Sequence, residues 1–467
     1  MDKLSACNCD IVNNKEQNWD DIKTFFPNFP ENLFNLINNV SSCSPFMKDA
    51  LIKEHLWLKE IVDLDLRIVL TTLLANYEES DRIDLYSTLR IAKRRAILII
   101  ALADLGGLWK LSDVTEALSE FADSVLQFSL DRLTHREFIW KLHKSYFQNS
   151  CYFPSSIVGS AKKVGLVGLA MGKLGGKELN YSSDIDLIFF FDESQFKPYF
   201  YAEVRFIFIK IIRNLVKLLS EVTLDGYVFR VDLRLRPDPS SNPICIGLAS
   251  AERYYESYGR NWERAAFIKA RPAAGALRKG LEFLNRLEPF IWRKNLDFSA
   301  IEDTEQMLHK IRDRDIENSR LQILGYDIKN SFGGIREIEF FAQTRQLIWG
   351  GRDKSLRSTS TVKALKSLSV ATILSNSDSQ NLVKHYKKLR NIENRLQMLE
   401  DTQTHSIPKE YKKARCISYL SCNSNTDHFL SDLELCLNRV KKITSKFFDS
   451  ELRKFSTESL DSNSFVH

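Results

Sequence analysis

The sequence predicts an α+β chain, mostly α-helical, with its few strands gathered near the middle. Three observations carry that reading. Apolar residues recur at helical spacing from about Pro45 to Phe147; short apolar runs bounded by glycine or acidic clusters occupy Val164 to Pro237; and helical spacing returns after Ala251. At 467 residues the chain is too long for one compact core. The expected division is a helical region over 1–147, a catalytic core over 148–285, and a helical region with a loose tail over 286–467.

Taken in order, Val114, Leu118, Phe121, Val125 and Phe128 line one helical stripe, with Asp113 as N-cap and Glu116 three residues on. "VGLVGLAM" and "DLIFFF" are continuous apolar runs and read as buried strands; "YVFRVDLRLRP" alternates and reads as a third strand. Between the second and third, Glu203, Lys210, Arg213 and Lys217 form one polar stripe on an apolar stretch, as on a helix laid against a sheet. Beyond Ala251 helices are expected almost to Phe455, broken by "RPAAG" near Pro272, by "NSFGG" before Ile335 and by "SNSDSQ" near Ser377, with the serine-rich last dozen residues loose.

Composition removes several classes. Lys and Arg total 66 against 60 Asp and Glu, and a net charge of +6 on this length is too weak for a nucleic-acid-coating protein. The eight cysteines, Cys9 and Cys151 among them, include no CxxC pair and no zinc-finger histidine spacing, which suits a reducing cytoplasmic setting without structural zinc. The acidic start resembles no signal or transit peptide, and "AILIIALADLGGLW" is interrupted before it reaches bilayer length, so no membrane association is expected.

The chemistry is expected in "GKLGGKELNYSSDIDLIFFFD", Gly172 to Asp192. Asp184 and Asp186 are two apart at a strand entry, so both carboxylates project to one face about 7 Å apart. Paired carboxylates at an open sheet edge suit Mg²⁺ ions shared with substrate phosphates. Asp232, on the neighbouring strand, is the expected third ligand. Gly175 and Gly176 would turn tightly and present N–H groups to an anion, with Lys173, Lys177, Ser182 and Ser183 as further donors. Arg230, Asp232, Arg234 and Arg236 would share one strand face, with Arg234 and Arg236 as phosphate contacts. A GG turn before DxD is alone compatible with an ordinary loop, and an arginine-studded strand with a solvated face. Their succession across one helix favours catalysis.

These residues resemble the nucleotidyltransferase superfamily with a polymerase beta-like palm, in which GG or GS, DxD and a third Asp recur. A closer resemblance is carried by "GLAMGKLGGKELNYSSDIDLIFFFD", "VDLRLRPDPSS", "ERYYESYGRNWERAAFIKARP", "GGIREIEFFAQTRQL" and "RNIENRLQMLEDTQTHSIP", spread from about Val164 to Pro408. In this order they resemble the bifunctional glutamine synthetase adenylyltransferase and adenylyl-removing enzyme, a tandem of two nucleotidyltransferase halves. "NYSSDIDLIF" and "GGIREIEFF" resemble the half that removes AMP from a tyrosine by phosphorolysis.

The resemblance implies a nucleotidyltransferase sheet flanked by helices, with Asp184, Asp186 and Asp232 as metal ligands and Gly175 and Gly176 as the phosphate loop. It implies Mg²⁺ as cofactor, glutamine synthetase as protein substrate, phosphate, ADP and ATP as small ligands, and a PII signalling protein as a regulatory partner in nitrogen metabolism. The forward transfer from ATP, or a silent module that only binds the synthetase, are the alternatives. Because no second GKLGG and DxD block precedes His467, a fragment, a split gene product or a shortened enzyme is expected. Arg260, Arg264 and Arg271 on one helical face could meet phosphate or the adenylyl group, or Arg260 could pair with Glu256; Arg336, Glu337 and Glu339 follow Gly333 and Gly334 at a helix start whose N–H groups could hold an anion, or Arg336 could pair with Glu339. His405, before a proline, is expected to be a loop histidine bonded to backbone.

Overall fold

The computed structural model describes residues 2–7, 20–77, 84–141, 144–149, 154–294 and 323–462. Cys9, Cys151 and the helical reading across 295–322 lie outside the described residues. The chain divides into two compact units. The first holds residues 1–293 with 358–360 and 397–403, and so takes in both the N-terminal helices and the sheet. The second holds 294–357, 361–396 and 404–467.

The sheet of the first unit has five strands: β1 (Leu166–Ala170), β2 (Ile185–Phe191), β3 (Val231–Asp232), β4 (Cys245–Gly247) and β5 (Arg271–Gly275). β1 pairs antiparallel with both β2 and β5, while β3 and β4 pair parallel with the two ends of β2, giving the order β3-β2-β1-β5 with β4 also on β2. β1 is buried at every residue and β2 at all but Asp186, so neither shows alternation and both read as apolar runs. Val167, Leu169, Ile188 and Phe190 enter a core shared with Ala251, Tyr255, Phe267 and Phe283. On the opposite face Phe191 stacks on Phe208 at 4.9 Å, and Phe208 meets Phe138 and Phe196. Phe208 belongs to the helix Tyr201–Ser220, whose apolar stripe of Val204, Phe208, Ile211, Leu215 and Leu218 is buried as the spacing predicts.

Several local expectations are corrected. The long helix begins at Leu111, so Asp113 is not its N-cap; its carboxylate reaches back to accept the Lys110 N–H at 3.0 Å, the returning half of a capping box. The expected break between helices at "RPAAG" is there, and it is an edge strand. Pro272 is tolerated because an edge strand can forgo one ladder donor, and the register slips between Gly168 and Leu169 to fit it. The third strand is only two residues long. The Asp232 carboxylate accepts the Arg234 N–H at 2.8 Å, and this local bond turns the chain out of the ladder, so Arg234 and Arg236 do not continue the strand face. The final helix runs Thr426–Ser462, so the expected loose tail is helical except for 463–467, which lie outside the described residues.

The second unit is helical, with Ile335–Trp349, Thr361–Val370, Asn376–Glu400 as far as Leu396, Tyr411–Leu420 and Thr426–Ser462. Its interior is unusually polar: Glu337, Arg345, Arg390 and Glu393 are all at most 1% exposed. Glu337 accepts from Thr444 Oγ1 at 2.7 Å and the Gly333 N–H at 2.6 Å, which satisfies its buried charge. Among the described residues no helix is long and apolar enough to cross a membrane.

Candidate active site at the β2–β3 edge

The site is built from the backbone outward. β2 and β3 are parallel with Asp186 opposite Asp232, so the two aspartates stand on adjacent strands about 4.8 Å apart. Asp184 precedes β2 by one residue. Alternation carries it to the same face as Asp186, the face on which Ile188 and Phe190 enter the core further along. The tight turn Gly172–Gly175 follows β1 and passes beside this point. Gly172 has φ +53, and a Cβ there would lie 2.5 Å from Asp186 Oδ2. Only glycine lets the backbone approach the carboxylate so closely.

Around these acids stand arginines. Arg230 donates from Nε to Asp184 Oδ1 at 2.6 Å, from a terminal nitrogen to the Ser182 carbonyl at 2.6 Å, and from the other to the Tyr227 hydroxyl at 2.6 Å. The second oxygen of Asp184 accepts from Gln403 Nε2 at 3.0 Å. Arg234 forks onto Asp232, and its hydrogen bonds hold that carboxyl below the usual aspartate range; the Arg234 side chain is itself 84% exposed.

The structure thus brings Asp184, Asp186 and Asp232 to one edge. As placed, no three acidic, histidine or cysteine side chains among the described residues form a metal-holding group. Two of the three carboxylates are turned onto arginines. The donor set, all carboxylate oxygen and bare of histidine or thiolate, fits a hard divalent cation. Gly172 keeps the approach to Asp186 open.

The remaining expected residues separate by role. Gly175 and Gly176 donate their N–H groups to the carbonyls of Met171 and Gly172, so both are already engaged within the turn and do not present N–H groups to an anion. Gly175 serves packing instead: a Cβ would fall 2.0 Å from the Lys269 carbonyl oxygen. Ser182 is 2% exposed, with its N–H on Gln397 Oε1 at 2.8 Å and its hydroxyl against Tyr227. Lys173 and Ser183 are half-buried near the site, and Lys177 pairs with Glu120. Arg236 spends its donors on the carbonyls of Leu233, Pro239 and Asn242, bracing its own loop.

Arg260, Arg264 and Arg271 do not share a helical face. Arg260 caps the helix Asn261–Phe267, Arg264 is buried within it, and Arg271 opens β5, paired with Asp123 at 2.8 Å. In the second unit Arg336 donates to Asn330, and Glu339 accepts from Tyr386. His405 turns its side chain to buried Glu393, Nδ1 lying 3.1 Å from Oε1, and to Lys329 at 3.3 Å, and not to backbone.

Sequence reasoning missed Tyr227, Lys93, Asp401 and Gln403. Lys93 lies 3.8 Å over the Tyr227 ring and 3.2 Å from Asp401 Oδ2. Gln403 and Asp401 sit in "EDTQTH", a stretch noted for its resemblance only. No local pattern announced that it reaches the aspartates.

With this geometry established, comparison with known proteins adds two family matches. Residues 34–286 match the model described as glutamate-ammonia ligase adenylyltransferase, and residues 305–448 match the one described as GlnD PII-uridylyltransferase. The chain is 39% identical over 422 residues to the bifunctional glutamine synthetase adenylyltransferase/adenylyl-removing enzyme of Bartonella quintana, covering 89% of this chain and 42% of that protein. It is 39% identical over 422 residues to the equally named protein of Agrobacterium fabrum, with 88% and 41% covered. The Caulobacter vibrioides protein of that name is 39% identical over 416 residues, with 88% and 41% covered. The chain spans about two-fifths of the length of these relatives and matches their N-terminal half.

Proposed function

The chain belongs to the glutamate-ammonia ligase adenylyltransferase family, and on that premise we propose that it performs metal-dependent nucleotidyl transfer on a tyrosine of glutamine synthetase, in the direction that removes AMP. The observation that carries the reading is the ladder pairing of Asp186 with Asp232, with Asp184 on the same face and a side-chain-free Gly172 against Asp186.

In this reading an oxygen of inorganic phosphate bonds to the phosphorus of the adenylyl group while the bond from phosphorus to the tyrosyl oxygen breaks. ADP leaves, and the phenolate takes a proton from water or from the attacking phosphate. Asp184, Asp186 and Asp232 are the residues that would hold Mg²⁺, which when bound neutralises charge on the entering and leaving oxygens. Arg230 holds Asp184 against the sheet edge, and Arg234, mostly in solvent beside Asp232, would be the phosphate contact. Transfer of this kind depends on positioning and charge neutralisation, so a side-chain nucleophile is not required.

Removal is favoured over addition because "NYSSDIDLIF" and "GGIREIEFF" resemble the removing half of the bifunctional enzymes. The test gives the purified chain adenylylated glutamine synthetase with Mg²⁺ and phosphate, and unmodified synthetase with Mg²⁺ and ATP. ADP release in the first reaction, with little AMP gained by the target tyrosine in the second, is expected by mass spectrometry. Net gain of AMP from ATP would reassign the chain to the forward transfer.

A further inference from the structure

We infer that Gln403 is a positioning residue for Asp184, held in place by a polar strut from the N-terminal helices. The inference rests on the reading of Asp184, Asp186 and Asp232 as the metal-holding set. Asp184 is held at both oxygens: Oδ1 by Arg230 at 2.6 Å and Oδ2 by Gln403 at 3.0 Å. Each carboxylate oxygen carries two lone pairs, so an oxygen that accepts one hydrogen bond can still ligate a cation. Ligating carboxylates are commonly oriented in this way by a second layer of donors.

An exposed glutamine could make such a bond by accident. The anchoring of its segment argues otherwise. Upstream, Gln397 Oε1 accepts the Ser182 N–H at 2.8 Å, two residues from Asp184. Nearer, Asp401 meets the Lys93 ammonium at 3.2 Å, and its carbonyl accepts the Tyr227 hydroxyl at 3.4 Å. Lys93 is 8% exposed, and burial lowers its proton affinity while the neighbouring Asp401 acts in the opposite direction. Asp401 directly follows the helix Asn376–Glu400 and adopts φ +48, the left-handed turn with which helices commonly end, so the segment leaves the helix in a defined direction. Tyr227 also contacts Arg230, so the donors on the two oxygens of Asp184 are tied through one phenol.

The chemical choice is also informative. Arg230 already places one positive charge on Asp184. A second cation would compete with a metal ion, whereas a neutral amide orients the carboxylate and leaves its charge available.

The test uses the full chain and Mn²⁺ alone as probe, with free Mn²⁺ read by electron paramagnetic resonance. Gln403→Met keeps length and removes the donor. Its Mn²⁺ dissociation constant should rise about tenfold. The Mn²⁺ concentration for half-maximal ADP release should rise by the same factor, and the metal-free unfolding temperature should not move. Asp186→Asn, which removes a ligand, should abolish tight binding. Mn²⁺ affinity of Gln403→Met within twofold of the parent overturns the inference, as does a lowered unfolding temperature that accounts for the loss. Tight Mn²⁺ binding retained by Asp186→Asn overturns the metal reading, and the inference with it. If Asp186→Asn alone loses binding, the metal reading stands and only the role of Gln403 falls.

Discussion

Replacing Gly172 by alanine separates two demands made on one residue. Gly172 sits at φ +53, where an L side chain costs about 1–2 kcal/mol. It also lies where a Cβ would meet Asp186 Oδ2 at 2.5 Å, so reaching ordinary contact at 3.4 Å forces the carboxylate back by about 0.9 Å. The obstructing atom is the end of a side chain, so the clash is relieved by rotating Asp186 and adds little to the loss of stability. Its cost falls on chemistry instead, where a misplacement near 1 Å is worth about 10²-fold in rate. Gly107 supplies the control: φ is +70 and nothing lies within 4 Å of its added Cβ. Both Gly172→Ala and Gly107→Ala should therefore unfold a few degrees below the parent, by similar amounts. Only Gly172→Ala should lose about 100-fold in ADP release from adenylylated glutamine synthetase. If the two variants turn over within threefold of each other, Asp186 does not depend on that glycine and the placement of the reacting groups at this edge is wrong.

His385, buried beside Cys436, has its proton affinity lowered from 6.5 to about 4 by burial first and then by Arg439, Lys384 and Lys388. The unfolded chain then binds the proton more readily than the folded one, so its stabilising effect is complete above pH 6.5 and lost as pH falls toward 4. Thermal unfolding should show this loss, on the order of 2–3 kcal/mol, and His385→Gln should flatten the slope in that window. Arg234→Ala should weaken phosphate and ATP binding by calorimetry, with the gap to the parent narrowing as salt rises, because the side chain is largely in solvent. An affinity unchanged at low salt would leave Arg234 as a partner of Asp232 alone.

Much of this site is legible in the chain because faces are a local property. The apolar run "DLIFFF" with acids at its start places Asp184 and Asp186 on one face by strand alternation alone, and the stripe on Tyr201–Ser220 predicts the crossover helix that makes the next strand parallel. β4 and β5 were not legible. One has three residues, and the other carries Pro272 and Gly275, so neither offers a period long enough to read. Turn chemistry also misled: Asp232 diverts the backbone with its own carboxylate, and the twin glycines turn their N–H groups back into the turn. What only the tertiary structure decided is which distant group each aspartate meets. Arg230 and Gln403 reach Asp184 from 46 and 219 residues away. A hydrogen bond across such a separation leaves no periodic trace in sequence, because it depends on where packing of the intervening elements sets down two chain segments rather than on the dihedral preferences of either.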